Sequence, residues 1–184
     1  MTKAKLETEV SKYMSYVLRH APEAAGLTLD PEGWVSFEAL EQAVASKYDV
    51  SRADIIEIVE NNPKKRFTVA DNRIRANQGH SVDVDLALTA VEPPAALFHG
   101  TSAIAWHSIE REGLKKMQRH HVHLSADVET AKIVAMRRKG EYVILRVDAA
   151  AMFSAGHSFF VSDNGVWLTE SVPVQYISPD AGTP

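Results

Sequence analysis

The chain of 184 residues contains no cysteine. That excludes disulfides, thiolate catalysis and cysteine-ligated zinc, and it allows a reducing compartment. Long apolar runs are missing as well, and Met1–Val10 has no apolar stretch after its lysines. The expectation is a cytoplasmic protein with no export signal and no membrane partner. Neither G-x-G-x-x-G nor G-x-x-x-x-G-K-[ST] occurs, so a Rossmann dinucleotide site and a P-loop are unsupported. Net positive charge is lacking too: the formal charge is -4, which argues against indiscriminate coating of nucleic acid. What is present is 45% hydrophobic composition, enough to bury a core in one domain or two small ones.

Against this acidic background, Lys64–Ser81 gathers five Lys or Arg side chains and one acid. Local charge sets the local field, so a phosphate pocket is compatible with the overall balance. Lys65–Val69 and the piece around Arg73-Ile74-Arg75 flank Asp71-Asn72, a pattern that predicts a hairpin. Alternation along a strand puts Arg73 and Arg75 on one face and Ile74 on the other. Fixed guanidinium donors suit phosphate oxygens. An ordinary solvated hairpin is the competing reading, and the polar run Asn77-Gln78-Gly79-His80-Ser81 weighs against it.

Before this stretch, Val10, Met14, Val17 and Leu18 recur at helical spacing and predict a helix over 7–18. Pro22 restricts Ala21 and should end that helix near Arg19-His20. Cations there complement the helix dipole, which explains the pair structurally; Lys12, two turns earlier, shares their face. Leu27–Leu29 and Trp34-Val35 suggest two short extended pieces around a turn. Ser36 is a candidate N-cap for a helix from Phe37 to about Ser46, and Ser51 with Asp54 forms a capping-box pattern before a third helix. Three helices followed by a basic hairpin look like a winged-helix module. Asp54, Glu57 and Glu60 make the third helix acidic, so it is a poor reader of a DNA major groove.

Val82–Leu86 alternates like a short strand, and Pro93-Pro94 marks the domain boundary, giving lobes 1–92 and 93–184 that are expected to meet over a cleft. Beyond it come a short strand Ala95–Phe98, then His99-Gly100-Thr101-Ser102, where the glycine is read as allowing close approach of a ligand. A helix over 104–112 should end at Gly113. In His121-Val122-His123-Leu124-Ser125, burial of Val122 and Leu124 would place His121, His123 and Ser125 on one face. A zinc site with His99 is an alternative reading of these histidines, disfavoured by the absence of H-E-x-x-H. Asp127–Met136 reads as a helix, Tyr142–Val147 as the clearest core strand, and Asn164-Gly165 as a hairpin turn. Pro173–Ile177 is expected to close the sheet.

Taken together, Leu18-Arg19-His20, Lys64–Phe67, Ile74–Ser81, His99-Gly100-Thr101, His121–Ser125 and Asn164–Leu168 resemble the RNA 2'-phosphotransferase family of the Tpt1/KptA type, across about residues 11–177. The resemblance implies an α+β protein with an N-terminal winged-helix RNA lobe packed against a C-terminal NAD lobe of ADP-ribosyltransferase fold. It also implies removal of an internal RNA 2'-phosphate in two steps. The phosphate attacks the nicotinamide ribose of NAD and releases nicotinamide. The ribose 2''-OH then attacks phosphorus, releasing 2'-OH RNA and ADP-ribose 1'',2''-cyclic phosphate. By the same resemblance the catalytic residues are Arg19, His20, Arg66 and either Arg137 or Arg138. His99, Gly100, Thr101, His123 and Ser125 would bind NAD, and Lys64, Arg75, Gln78 and His80 would contact the RNA or its phosphate. NAD is consumed as co-substrate, no metal is required, and a monomer is expected.

Overall fold

The structure, a computed structural model, describes residues 2–137 and 140–180. These residues divide into two compact units at Ala87 and Leu88, several residues before the proline pair. Both mix helices with antiparallel strands, so the architecture is α+β.

The first unit begins with helix α1 (Lys3–Arg19), whose Val10, Met14, Val17 and Leu18 are all fully buried. It ends where the Ala21-Pro22 junction requires, and a short 3-10 turn, Pro22–Ala25, follows. Strand β1 (Val35–Ser36) leads into α2 (Phe37–Ala45), capped by the Ser36 hydroxyl accepting from the Ala39 N–H at 3.4 Å. Helix α3 (Arg52–Glu60) opens with the expected reciprocal capping box of Ser51 and Asp54. Strands β2 (Phe67–Ala70) and β3 (Arg73–Ala76) form the predicted hairpin, with Asp71 and Asn72 at φ of 49° and 57°, the paired positive values of a tight turn. The sheet order is β1-β3-β2, and Ile74 and Phe67 join the helices in the core.

One sequence expectation differs here: Val82–Leu86 is not a strand. Its Val84 is buried as alternation suggests, yet the backbone N–H groups are used elsewhere. Those of Ser81 and Val82 donate to the Arg19 carbonyl (2.9 and 3.3 Å), and that of Asp85 donates to Pro31 (2.7 Å). A segment that bonds a helix end and a loop has no ladder to join.

In the second unit, β4 (Ala96–Ser102) precedes α4 (Ala103–Glu112) and β5 (Leu114–Lys115). Next come β6 (Val122–Leu124), α5 (Val128–Ala135), β7 (Tyr142–Asp148) and α6 (Ala149–Ser154). The chain finishes with β8 (Phe159–Val161), β9 (Trp167–Thr169), β10 (Ser171–Val172) and β11 (Ile177–Pro179). Strand β7 is central in the order β11-β7-β4, and its Ile144, Leu145 and Val147 are fully buried. Val174–Tyr176 is a 3-10 turn, with Tyr176 N–H donating to Pro173 at 3.1 Å, so the closing strand starts at Ile177, later than expected. A second sheet, β6-β9-β8, contains the Asn164-Gly165 hairpin. It is tied to β4 by paired backbone bonds between Phe98 and Ser125 (2.9 and 2.7 Å).

Candidate functional site

Helix periodicity places Lys12, Ser15, Tyr16 and Arg19 along one side of α1, three or four residues apart. With His20 and Arg66 they line a concavity of about 300 Å³ in the first unit. Arg19, His20 and Arg66, far apart in sequence, are thereby brought together, and Lys12 adds a fourth basic side chain. Among the described residues no carboxylate lines this concavity.

Several contacts hold its walls. The Arg19 guanidinium reaches the Arg66 carbonyl at 3.5 Å, and Arg66 Nη1 reaches Asn62 Oδ1 at the same distance. Asn62, buried, donates to Ser11 Oγ (3.0 Å) and accepts from the Lys64 N–H (3.0 Å), so it fastens the start of the basic segment to α1. Asn77, also buried, accepts from Thr68 Oγ1 (2.6 Å) and donates to the Lys65 carbonyl (2.8 Å), while its N–H donates to the Arg66 carbonyl (2.9 Å). His20 Nδ1 lies 2.9 Å from Ser81 Oγ. The polar run after the hairpin therefore shapes the backbone at Arg66 and steadies the imidazole.

The other residues of this unit expected at the site do not line the concavity. Arg73 and Arg75 do share a face, but both guanidiniums lie over the Trp34 ring, at 5.1 and 4.7 Å from its centroid. Arg73 also pairs with Asp30 (3.3 Å), and Arg75 reaches the Glu32 carbonyl (3.5 Å). His80 is 2% exposed and its Nε2 sits against Gly33, so its ring packs within the unit. Lys64 is exposed and Gln78 half-buried in the loops flanking the hairpin. Sequence reasoning missed Ser15 and Tyr16 as lining residues. Their distance of four and three positions from Arg19 was the available signal.

In the second unit β4 carries His99, Gly100 and Thr101, and the Phe98–Ser125 bridge sets this strand beside β6, which carries His123. His99 Nδ1 is 2.9 Å from the His123 carbonyl, which only accepts, so this nitrogen carries the proton. His123 Nδ1 is 3.3 Å from the Arg119 guanidinium, which only donates, so here Nδ1 holds the lone pair and Nε2 the proton. As neutral imidazoles the two rings are thus opposite tautomers. Val122 and Leu124 are buried, as the alternation requires, and His121 packs edge-on against Phe160 at 5.5 Å. Among the described residues no three His, Asp or Glu side chains converge in a metal-binding group.

Gly100 corrects the reason given for it. A Cβ there would overlap the Ala131 carbonyl oxygen and come within 2.9 Å of Ala135 Cβ. What approaches the missing side chain is helix α5 of the protein itself. Thr101 is buried opposite Val143. Arg137 follows α5 in an exposed turn, its N–H 3.3 Å from the Val134 carbonyl, and Arg138 lies outside the described residues.

The sequence pattern of the RNA 2'-phosphotransferase, Tpt1 / KptA family matches residues 5–171. Over 184 residues, all of both chains, the protein is 89% identical to one from Rhizobium leguminosarum bv. trifolii described as "Probable RNA 2'-phosphotransferase". A Rhizobium johnstonii protein with the same description is 84% identical over the same span. One from Streptomyces griseus subsp. griseus is 52% identical over 179 residues, covering 92% of this chain and 94% of the relative. A pattern matched over nearly the whole chain, supported by full-length relatives, means that this chain belongs to the RNA 2'-phosphotransferase, Tpt1 / KptA family of enzymes.

Proposed function

We propose that the protein removes an internal RNA 2'-phosphate by transferring it to NAD, with the first unit acting as an RNA-binding winged helix and the second as an ADP-ribosyltransferase-like NAD unit. The observation that carries the reading is the carboxylate-free concavity of Lys12, Arg19, His20 and Arg66, a charge pattern suited to a phosphate dianion. In the first step a 2'-phosphate oxygen bonds to the anomeric carbon of the nicotinamide ribose, and nicotinamide leaves with the electron pair of the broken C–N bond. In the second the ribose 2''-OH bonds to phosphorus and the P–O bond to RNA breaks. The hydroxyl proton ends on the RNA 2'-oxygen. Arg19 and Arg66 supply fixed donors as charge moves between phosphate oxygens, and His20, held through Nδ1 near Ser81, donates to the phosphate or carries a proton. His99 on β4 and His123 on β6, joined through the His99 Nδ1 bond to the His123 carbonyl, are assigned to NAD. Neither step asks for a metal. RNA bearing a 2'-phosphate and NAD are the two substrates, and a monomer suffices for both.

The test is product analysis after mixing the protein, NAD and an internally 2'-phosphorylated oligoribonucleotide. Nicotinamide, 2'-OH RNA and ADP-ribose 1'',2''-cyclic phosphate are expected in equal amounts. Accumulation of ADP-ribosylated RNA without cyclic phosphate would make the protein an ADP-ribosyltransferase that stops after the first step. Inorganic phosphate as the product would reject both readings.

A further inference from the structure

Of the six aromatic side chains in residues 1–87, five are accounted for by packing. Phe37 and Phe67 are core residues. Tyr13 and Tyr48 pack ring to ring at 5.7 Å with Lys47 over them, and Trp34 lies beneath two arginines. Tyr16 is the exception. It is 49% exposed, no ring or cation among the described residues rests on it, and it lines the basic concavity. A half-exposed ring is ordinary by itself; its position beside a phosphate-sized cluster of cations is what singles Tyr16 out. Tyr16 lies four residues before His20, the C-cap of α1, or about 6 Å along the axis at 1.5 Å per residue. A group covering the ring while its phosphate meets Arg19 and His20 must be flat, apolar on its faces and linked to that phosphate by a short tether. A nucleobase fits this description, and every base offers a π-face to an aromatic platform.

We infer that Tyr16 is a stacking platform for the base of the nucleoside that carries the 2'-phosphate. The role rests on the phosphate assignment of the concavity. It makes recognition depend on a base being present and extrahelical but hardly on which base it is. Paired RNA, whose bases are stacked on one another, would be a poor substrate unless that nucleoside is flipped out. Because the stack is made equally before and during the reaction, Tyr16 acts on RNA binding and leaves the chemical step alone.

The experiment combines three proteins with four 2'-phosphorylated oligoribonucleotides at saturating NAD. The proteins are wild type, Tyr16→Leu and Tyr16→Phe. One RNA is intact, one is abasic at the phosphate-bearing nucleoside, and two are abasic at either neighbour. Tyr16→Leu should raise KM for the intact RNA about tenfold with kcat retained, and Tyr16→Phe should restore it. On RNA abasic at the phosphate-bearing nucleoside, wild type and Tyr16→Leu should have the same KM. 2-Aminopurine at that nucleoside should be quenched on binding wild type and unquenched with Tyr16→Leu. A KM increase by Tyr16→Leu that persists on that abasic RNA, or disappears only on a neighbouring abasic RNA, would overturn the platform while leaving the phosphate reading intact. Absence of any difference between phosphorylated and unphosphorylated RNA in binding wild type would instead remove the phosphate reading on which it rests.

Discussion

Replacing Gly100 by alanine separates two reasons for having a glycine at that position. The added Cβ would overlap the Ala131 carbonyl and lie 2.9 Å from Ala135 Cβ and 3.0 Å from the Ala135 nitrogen. None of these is the end of a flexible side chain: two are helix backbone and the third is a Cβ fixed to it. Relief therefore requires moving α5 off β4, opening the small core where Ala131, Ala135 and Ile144 are buried. Overpacking costs about 1–3 kcal/mol where side chains adjust, so with backbone on the far side at least about 3 kcal/mol is expected. For a protein of this length that corresponds to a fall in Tm of roughly 6–12 °C. Thermal and urea denaturation of Gly100→Ala would measure it. Adding Ala135→Gly should recover only part of the loss, because the Ala131 carbonyl still blocks the Cβ. A variant that keeps the wild-type Tm but no longer binds NAD would refute the packing argument and return the glycine to the ligand.

Arg19→Ala, His20→Ala and Arg66→Ala should each slow phosphate removal at least about tenfold in folded protein, measured for both steps by rapid quench. Wild-type rates in all three would reject their roles. Ser15 Oγ is buried without a hydrogen-bond partner among the described residues, so Ser15→Ala should not lower Tm, whereas KM for 2'-phosphorylated RNA should rise about tenfold if the hydroxyl turns to the bound phosphate. An unchanged KM would make Ser15 mere wall. Lys64→Ala should change RNA-dependent kcat/KM more than NAD affinity, and His99→Ala the reverse, with NAD binding read by calorimetry at fixed salt; loss of NAD binding in Lys64→Ala would defeat that division. Hydrogen bonds from the Ser51 hydroxyl and N–H hold the Asp54 carboxyl below its ordinary value of 3.8. A depressed folded value gives stability that is present above the unfolded value and lost as pH falls through the folded one. The stability gap between wild type and Asp54→Asn should accordingly be full at pH 7 and shrink below pH 3.8 in urea titrations; a pH-independent gap would contradict this.

Local rules carried much of the fold because they act over short spans. Ala21-Pro22 stopped α1, Ser36 and Ser51 started two helices, and Asp71-Asn72 turned the hairpin, each by steric or hydrogen-bonding demands within four residues. Arg19, His20 and Arg66 were legible only through the resemblance, since nothing in their spacing says that positions 47 apart share a wall. Trp34 beneath Arg73 and Arg75 was hidden for the same reason. The hairpin face was foreseen, but an indole from about forty residues earlier decided what covers it. Val82–Leu86 misled because alternation reports which side chains turn inward and says nothing of where the N–H groups go. Gly100 misled because a close approach has the same sequence signature whether a ligand or a helix makes it.

The bonds from Ser81 and Val82 to the Arg19 carbonyl, with His20 beside Ser81, bear on when the site comes into being. They close a loop of 61 residues at the residues proposed for catalysis. Closing a loop of that length costs roughly 4 kcal/mol in chain entropy, and the contacts at the closure are too few to offset it alone. The helices and the hairpin inside the loop must already be packed. Arg19 and His20 leave the ribosome early, yet the Arg19 carbonyl and the His20 ring meet Ser81 and Val82 only after Val82 has emerged and the intervening chain has folded. A nascent or truncated chain thus carries these side chains without a working arrangement of them, and activity is withheld until the whole first unit exists.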